Sequence, residues 1–327
     1  MKRIIYFLSI LFLALTLLSS CNFKAKKKII SQDFPYVSPP TMMTQTKEIS
    51  NWVALHYWDK YLDTSRVFPI DTNLICGITK LSFEKAYRDY IINIFNSDLK
   101  VALQGQKKLC LLTDLMMDKY PDSPLFEDIS GISTEFLFGV NSNYRNEELY
   151  IPMLEFFINS KFVDENQKKL YEKDLKECLK NRIGQPASDF EYSTRNGKIS
   201  SLYKIKADYT IIIFSNPGCN ACKDVMKYVD SSDKITKLII NKRIAILNMF
   251  IDENIADWYK ESQLLPKELI NAYDPNLIIR NKGLYYVRAI PSIYILDKDK
   301  KTLYKDVPTL GVINFLKNMP LIENEKN

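Results

Sequence analysis

The chain has 327 residues, 46% of them apolar and 26% charged, with 45 Lys and Arg against 39 Asp and Glu for a net charge of +6. That balance excludes a disordered polyelectrolyte, and the length is enough for two hydrophobic cores. The lysines are dispersed among acids with no basic–aromatic stripe, which argues against nucleic acid as a partner.

Lys2 and Arg3 open the chain, and Ile4 to Leu18 form an apolar run shorter than the roughly 20 residues of a membrane span. Residues 1–20 therefore read as a signal peptide. Its end, Leu18-Ser19-Ser20-Cys21, resembles the bacterial lipobox. That resemblance implies cleavage before Cys21 and a lipid anchor on its thiol; an ordinary secretory signal with an incidental Cys21 is the alternative. The following NFKAKKK makes residues 21–34 a tether, with Lys24, Lys26, Lys27 and Lys28 near headgroups or simply solvated. Asn22 is not the Asp of the enterobacterial inner-membrane retention signal. The expected location is the cell envelope, anchored in the outer membrane and facing the periplasm.

Residues 35–182 read as helices. FEKAYRDYIINIFNSDL (83–99) puts Ala86, Tyr87, Tyr90, Ile91 and Ile94 at helical spacing. Over 102–120 the stripe is Leu109, Leu112, Leu115 and Met116, and over 164–182 it is Leu170, Leu175 and Cys178. His56, the one histidine, lies among Trp52, Tyr57 and Trp58 and reads as a packed aromatic corner. FPYVSPP, HYWDKYLDT and SNYRNEELYIPMLE resemble an uncharacterised helical domain that precedes a thioredoxin-like domain in Bacteroidetes lipoproteins. That resemblance assigns no activity; the bare reading is a spacing or partner-binding domain.

The pattern changes at residue 183. Asn196-Gly197 signals a hairpin, and YTIIIF (209–214) is a buried strand. A helix over 219–235, a strand over 242–252, a helix over 255–265, a Pro-led strand pair over 291–307 and a last helix at TLGVINFLKN follow. This is the order of a thioredoxin fold. The expected architecture is an α+β two-domain chain, with an N-terminal all-α domain and then a thioredoxin-like α/β domain with a central mixed sheet over 183–327.

GQPASDF, NGK with Ser201-Leu202, Cys219-Asn220-Ala221-Cys222 and VRAIPSIYILD together resemble the membrane-tethered thiol-disulfide oxidoreductases, a group that includes the reductants of cytochrome c maturation. The long stretch from Cys219 to Pro291 fits that group's strand–helix insertion. In such a fold Cys219 stands at a helix N-terminus, where free N–H groups and the helix dipole favour a thiolate, and is the expected nucleophile. Cys222, one turn on, is the expected resolving thiol. The resemblance implies a cis Pro291 that presents the Ile290 backbone to an extended substrate. No cofactor or metal is expected, since Cys76, Cys110 and Cys178 are isolated and zinc needs further ligands.

The chain departs from the group in three places. Ile213 and Val225 occupy positions where thioredoxin and the cytochrome-maturation proteins carry carboxylates, and Gly218 replaces an aromatic. Asp224 lies on another helix face. Cys110 and Cys178 read as buried thiols; a disulfide from Cys76 stays open. The expected partners are proteins with disulfides or thiols, an unidentified redox donor or acceptor, and the membrane. The rivals are a non-catalytic interaction lipoprotein and a thiol peroxidase.

Overall fold

Side-chain caps start three of the helices in the first half of the chain. A computed structural model describes residues 30–71 and 73–321, so the leader and Cys21 lie outside the described residues. Six helices make the first half: α1 (Thr46–His56), α2 (Lys80–Asn96), α3 (Leu99–Lys119), α4 (Leu125–Phe138), α5 (Glu147–Asn159) and α6 (Glu165–Cys178). Thr79 Oγ1 accepts from Ser82 N at 3.2 Å to start α2, and Asp164 Oδ1 accepts from Asn166 N and Gln167 N at 2.8 and 3.1 Å to start α6. Each such cap satisfies backbone donors that a helix start leaves free.

The core of this half is aromatic. Phe83, Ala86, Tyr87, Tyr90, Ile91 and Ile94 form the buried face of α2 and meet Trp58 and Tyr61. On α6 the buried stripe is Tyr171, Leu175 and Cys178, spaced by four and three residues; Leu170, expected inside, is 55% exposed. Leu115 on α3 is likewise exposed, because Met116 and Leu109 take the inward positions. His56 stacks on Trp52 with ring centroids 4.6 Å apart, and its Nδ1 lies 2.9 Å from Asp59. Cys76 turns a two-residue hairpin, β1 (Leu74–Ile75) and β2 (Ile78–Thr79), with φ of 44°.

The second half is a seven-stranded mixed sheet: β3 (Glu191–Thr194), β4 (Ile199–Ser201), β5 (Tyr209–Ser215), β6 (Ile244–Phe250), β7 (Ile270–Tyr273), β8 (Ser292–Leu296) and β9 (Thr302–Tyr304). The order is β4-β3-β7-β6-β5-β8-β9, with β5 parallel to β6 and antiparallel to β8. Helices α7 (Asn220–Asp230), α8 (Asp233–Ile240), α9 (Ile255–Glu261), α10 (Ile278–Asn281) and α11 (Thr309–Asn318) complete it, giving 11 α-helices among the described residues. Strand alternation divides β5 between two cores. Ile211 and Ile213 meet Val225, Met226 and Val229 of α7 with Val312 and Leu316 of α11; Ile212 and Phe214 meet Phe190, Leu202, Ile279 and Tyr285.

The helix expected over 219–235 is two. Ser232 Oγ accepts from Ile235 N at 3.4 Å and starts α8 afresh. The helix expected over 255–265 stops at Glu261, and β7 is a strand that the sequence pattern did not mark.

The two halves meet through buried charge. Arg288 Nη2 donates to Glu147 Oε1 at 2.7 Å and its Nε to Asp306 Oδ2 at 3.1 Å, while its guanidinium lies 4.1 Å from the centroid of the Phe138 ring. Lys305 pairs with Glu147 and donates to the carbonyls of Cys178 and Lys180 at 3.0 and 2.5 Å. Arg145 Nε stands 3.6 Å from Asp306. Three cations therefore face two carboxylates, and the carbonyl end of α6 takes up the surplus positive charge. Burial pushes the Glu147 carboxyl above its ordinary range, against the pull of Lys305 and Arg288.

Candidate functional site

Strand β5 ends at the buried Ser215, and the loop Asn216-Pro217-Gly218 turns the chain into α7. Gly218 has φ of +80°, a left-handed conformation that glycine adopts without a Cβ penalty. Cys219 is the N-cap of α7, and its Sγ accepts from Cys222 N at 3.1 Å. The two sulfurs are bonded to each other, and the Cα atoms are 5.3 Å apart. Cys219 is half-buried, whereas Cys222 is 5% exposed and packs inward with Val225 and Met226.

The register of β5 with β8 decides what stands beside this loop. Phe214 pairs with Ser292, so Pro291 lies at the end of β5 from which the Cys219 loop departs. The Ile290–Pro291 peptide is cis. Ile290 and Asn216 line one face of a 450 Å³ cleft whose opposite wall includes Lys173, Glu177 and Lys180 of α6 and the turn after it. The structure thus brings Cys219, Cys222, Ile290 and Pro291 to one end of the sheet, together with a helix of the first domain.

Further groups gather there that residue spacing did not reveal. Cys219 and Cys222 line a 40 Å³ cavity with Ser215, Asn216, Asn248, Trp258 and Glu261. Ser215 Oγ donates to Asn248 Oδ1 at 2.6 Å, and Asn248 Nδ2 donates to Asn271 Oδ1 at 3.3 Å, a polar ladder running across β5, β6 and β7. Glu261, the last residue of α9, accepts from Gly218 N at 3.0 Å and sits 3.6 Å from Lys223 Nζ. No local pattern joins residue 261 to residue 218; only the fold of the insertion does.

Ile213 and Val225 are buried among apolar side chains, and Asp224 is exposed. Among the described residues Cys76, Cys110 and Cys178 are free and buried. Burial pushes the Cys76 thiol up to about 11 and raises Cys110 and Cys178 further. A thiol so raised is neither a ready nucleophile nor a ready metal ligand. No three His, Cys, Asp or Glu side chains are grouped to hold a metal ion among the described residues, and no helix there is long and apolar enough to cross a membrane.

The family model for a domain of unknown function, DUF5106, matches residues 18–181. A thioredoxin-like protein from Bacteroides caccae is 31% identical with a TM-score of 0.75, over 88% of this chain and 99% of its own. The C-terminal domain of an uncharacterized protein from Bacteroides fragilis is 37% identical over 42% of this chain and 99% of that one, with a TM-score of 0.40. A domain of a possible thiol-disulfide isomerase from Cytophaga hutchinsonii is 21% identical over 41% of this chain and 90% of that one, with a TM-score of 0.35. No protein with a curated description matches the chain.

Proposed function

The chain belongs to the thioredoxin-like proteins that carry an N-terminal DUF5106 domain, and from that premise we propose that it is a thiol-disulfide oxidoreductase working through Cys219 and Cys222. The observation that carries the proposal is the asymmetry of the pair. Cys219 stands half-buried at the start of α7, where the helix dipole and the Cys222 N–H stabilise a thiolate, while Cys222 is enclosed one turn further on.

In the reducing direction the Cys219 thiolate attacks one sulfur of a client disulfide. A mixed disulfide forms and the other client sulfur leaves as a thiolate. Cys222 loses its proton and attacks Cys219 Sγ, the mixed bond breaks, and the second client thiolate departs. The client gains two electrons and the pair becomes the disulfide. The oxidising direction runs the same steps backwards. The Ile290 backbone beside Pro291 is the proposed contact for an extended client strand.

Reduced full-length protein should reduce insulin disulfides with dithiothreitol as electron source, and Cys219→Ser should bring the rate to that of dithiothreitol alone. Equal rates for wild type and Cys219→Ser would leave a binding module as the better reading. We further propose that residues 1–20 are removed and that Cys21 is lipidated, placing the domain at the periplasmic face of the outer membrane. The support is the basic start, the apolar run and LSSC. Incorporation of labelled palmitate into wild type and its loss in Cys21→Ala is the expected result; an unlabelled wild type would remove the anchor.

A further inference from the structure

When Cys222 attacks, it must first lose a proton, and it is enclosed at 5% exposure. Ile213 and Val225, which flank the pair, are apolar and buried. The one carboxylate lining the cavity that holds both sulfurs is Glu261, brought in by the inserted helix α9. We propose that Glu261 receives the proton of Cys222 through water in that cavity and passes it to solvent. This role rests on the oxidoreductase reading above.

Three observations converge on it. The cavity measures 40 Å³, and about 10–15 Å³ suffices for a water given polar partners. Two of its lining residues supply such partners: the Trp258 Nε1–H and Asn216 Oδ1 are buried and without a hydrogen-bond partner among the described residues. Glu261 also joins two environments. Its Oε1 is held by Gly218 N in the loop that leads into the pair, while its side chain is 38% exposed, so a proton taken inside can leave outside.

The charges around it are few. Lys223 on α7 lies 3.6 Å from Glu261 and steadies the carboxylate. Asp252 reaches the site only through Asn216 Nδ2, at 3.4 Å. Arg195 bonds Ser262 Oγ at 2.9 Å, and Lys260 is paired with Asp257 on α9 itself. In the resolving step Cys222–SH gives its proton to the Glu261 carboxylate, and the Cys222 thiolate displaces the client sulfur from Cys219. The Glu261 carboxyl group then returns the proton to water or to the departing thiolate, so protons and electrons balance.

The test separates resolution from the first attack. Reduced full-length protein in detergent is mixed with 5,5′-dithiobis(2-nitrobenzoate) in a stopped-flow instrument. The first nitrothiobenzoate released reports attack by Cys219, and the second reports attack by Cys222 on the mixed disulfide. Glu261→Gln keeps an acceptor for Gly218 N but takes no proton. It should leave the first phase within about twofold and slow the second about tenfold at pH 7, with the gap narrowing as pH rises and hydroxide takes the Cys222 proton unaided. Glu261→Ala, checked for fold by circular dichroism, should regain second-phase rate with added formate.

A second phase slowed equally at every pH, or unchanged, would overturn the relay and leave Glu261 a loop-holding residue. Failure of formate to restore Glu261→Ala would overturn it as well. Absence of both phases in wild type would overturn the oxidoreductase reading and the relay with it, whereas normal wild-type phases with a silent Glu261→Gln would overturn the relay alone.

Discussion

At the residue scale, five cysteines among the described residues share a side chain and differ in everything around it. Cys76, Cys110 and Cys178 are enclosed by aromatic and aliphatic neighbours, and each thiol is raised by desolvation. Cys219 instead ends a loop at a helix start, half-buried, with a backbone N–H on its sulfur. Iodoacetamide applied near pH 7 to folded, reduced protein is therefore expected to label Cys219 first, Cys222 slowly, and the other three only after denaturant is added. Peptide mass mapping over time checks the order. Labelling of Cys110 or Cys178 at the rate of Cys219 would contradict the burial argument. The closeness of Cys219 and Cys222 at a helix start was legible in the sequence because a two-residue spacing within one helix turn is a local property. Glu261 was not, because its approach to Gly218 spans a strand, a loop and a helix.

At the element scale, the packing of α7 and β5 explains why Val225 and Ile213 are apolar. Val225 on α7 is 1% exposed and Ile213 on β5 fully buried, and both belong to the apolar face shared with α11. The resemblance to the thiol-disulfide oxidoreductases implies that Val225→Glu would give the pair a proton acceptor and speed resolution. In the folded protein the new carboxylate would lie among Ile211, Ile213, Val229 and Leu316 with no partner described there. We expect it to lower stability by about 3 kcal/mol through buried unpaired charge rather than to speed resolution. Urea unfolding checks the loss of stability, and the second nitrothiobenzoate phase checks the rate. The helix periodicities placed α2 correctly, yet Leu170 and Leu115 point outward. A stripe three or four residues apart admits neighbouring registers, and the packing partner selects one of them. The short strand β7 carries no such pattern; it exists because β6 and β3 both pair with it.

At the scale of the whole molecule, the domain junction is an ionic core rather than a flexible linker. Arg288, on the segment that leads to Pro291, is held by Glu147 and Asp306 and covered by Phe138 and Tyr286. Asp306 in turn accepts from Ser292 Oγ at 3.0 Å, the first residue of β8. Arg288→Met would leave Glu147 and Asp306 buried with fewer cations, and such a broken pair costs about 3–5 kcal/mol. The expected result is a lower urea midpoint, and unfolding of the two domains in separate steps. Glu147 adds a pH signature. Its carboxyl is raised in the folded state, chiefly by burial, so its contribution is fully present below the ordinary value of 4.5 and is lost as pH rises through the folded value. Wild-type stability should carry that falling slope above pH 4.5, and Glu147→Gln should remove it; denaturant midpoints across the acid range decide.

By itself the sequence determined the change from helices to strands near residue 183, the Asn196-Gly197 turn, the buried strand at 209–214 and the Cys219–Cys222 pair before a helix. All of these rest on residues within a turn or two of each other, where propensity, capping and periodicity act. The tertiary structure alone decided that Glu261 meets the pair's loop, that Asn248 lies beneath Ser215, and that α6 walls the cleft beside Ile290. Those juxtapositions come from sheet register and from burial of charge between domains. Both are set by the free energy of the whole packed chain, and neither leaves a periodic mark on the residues it brings together.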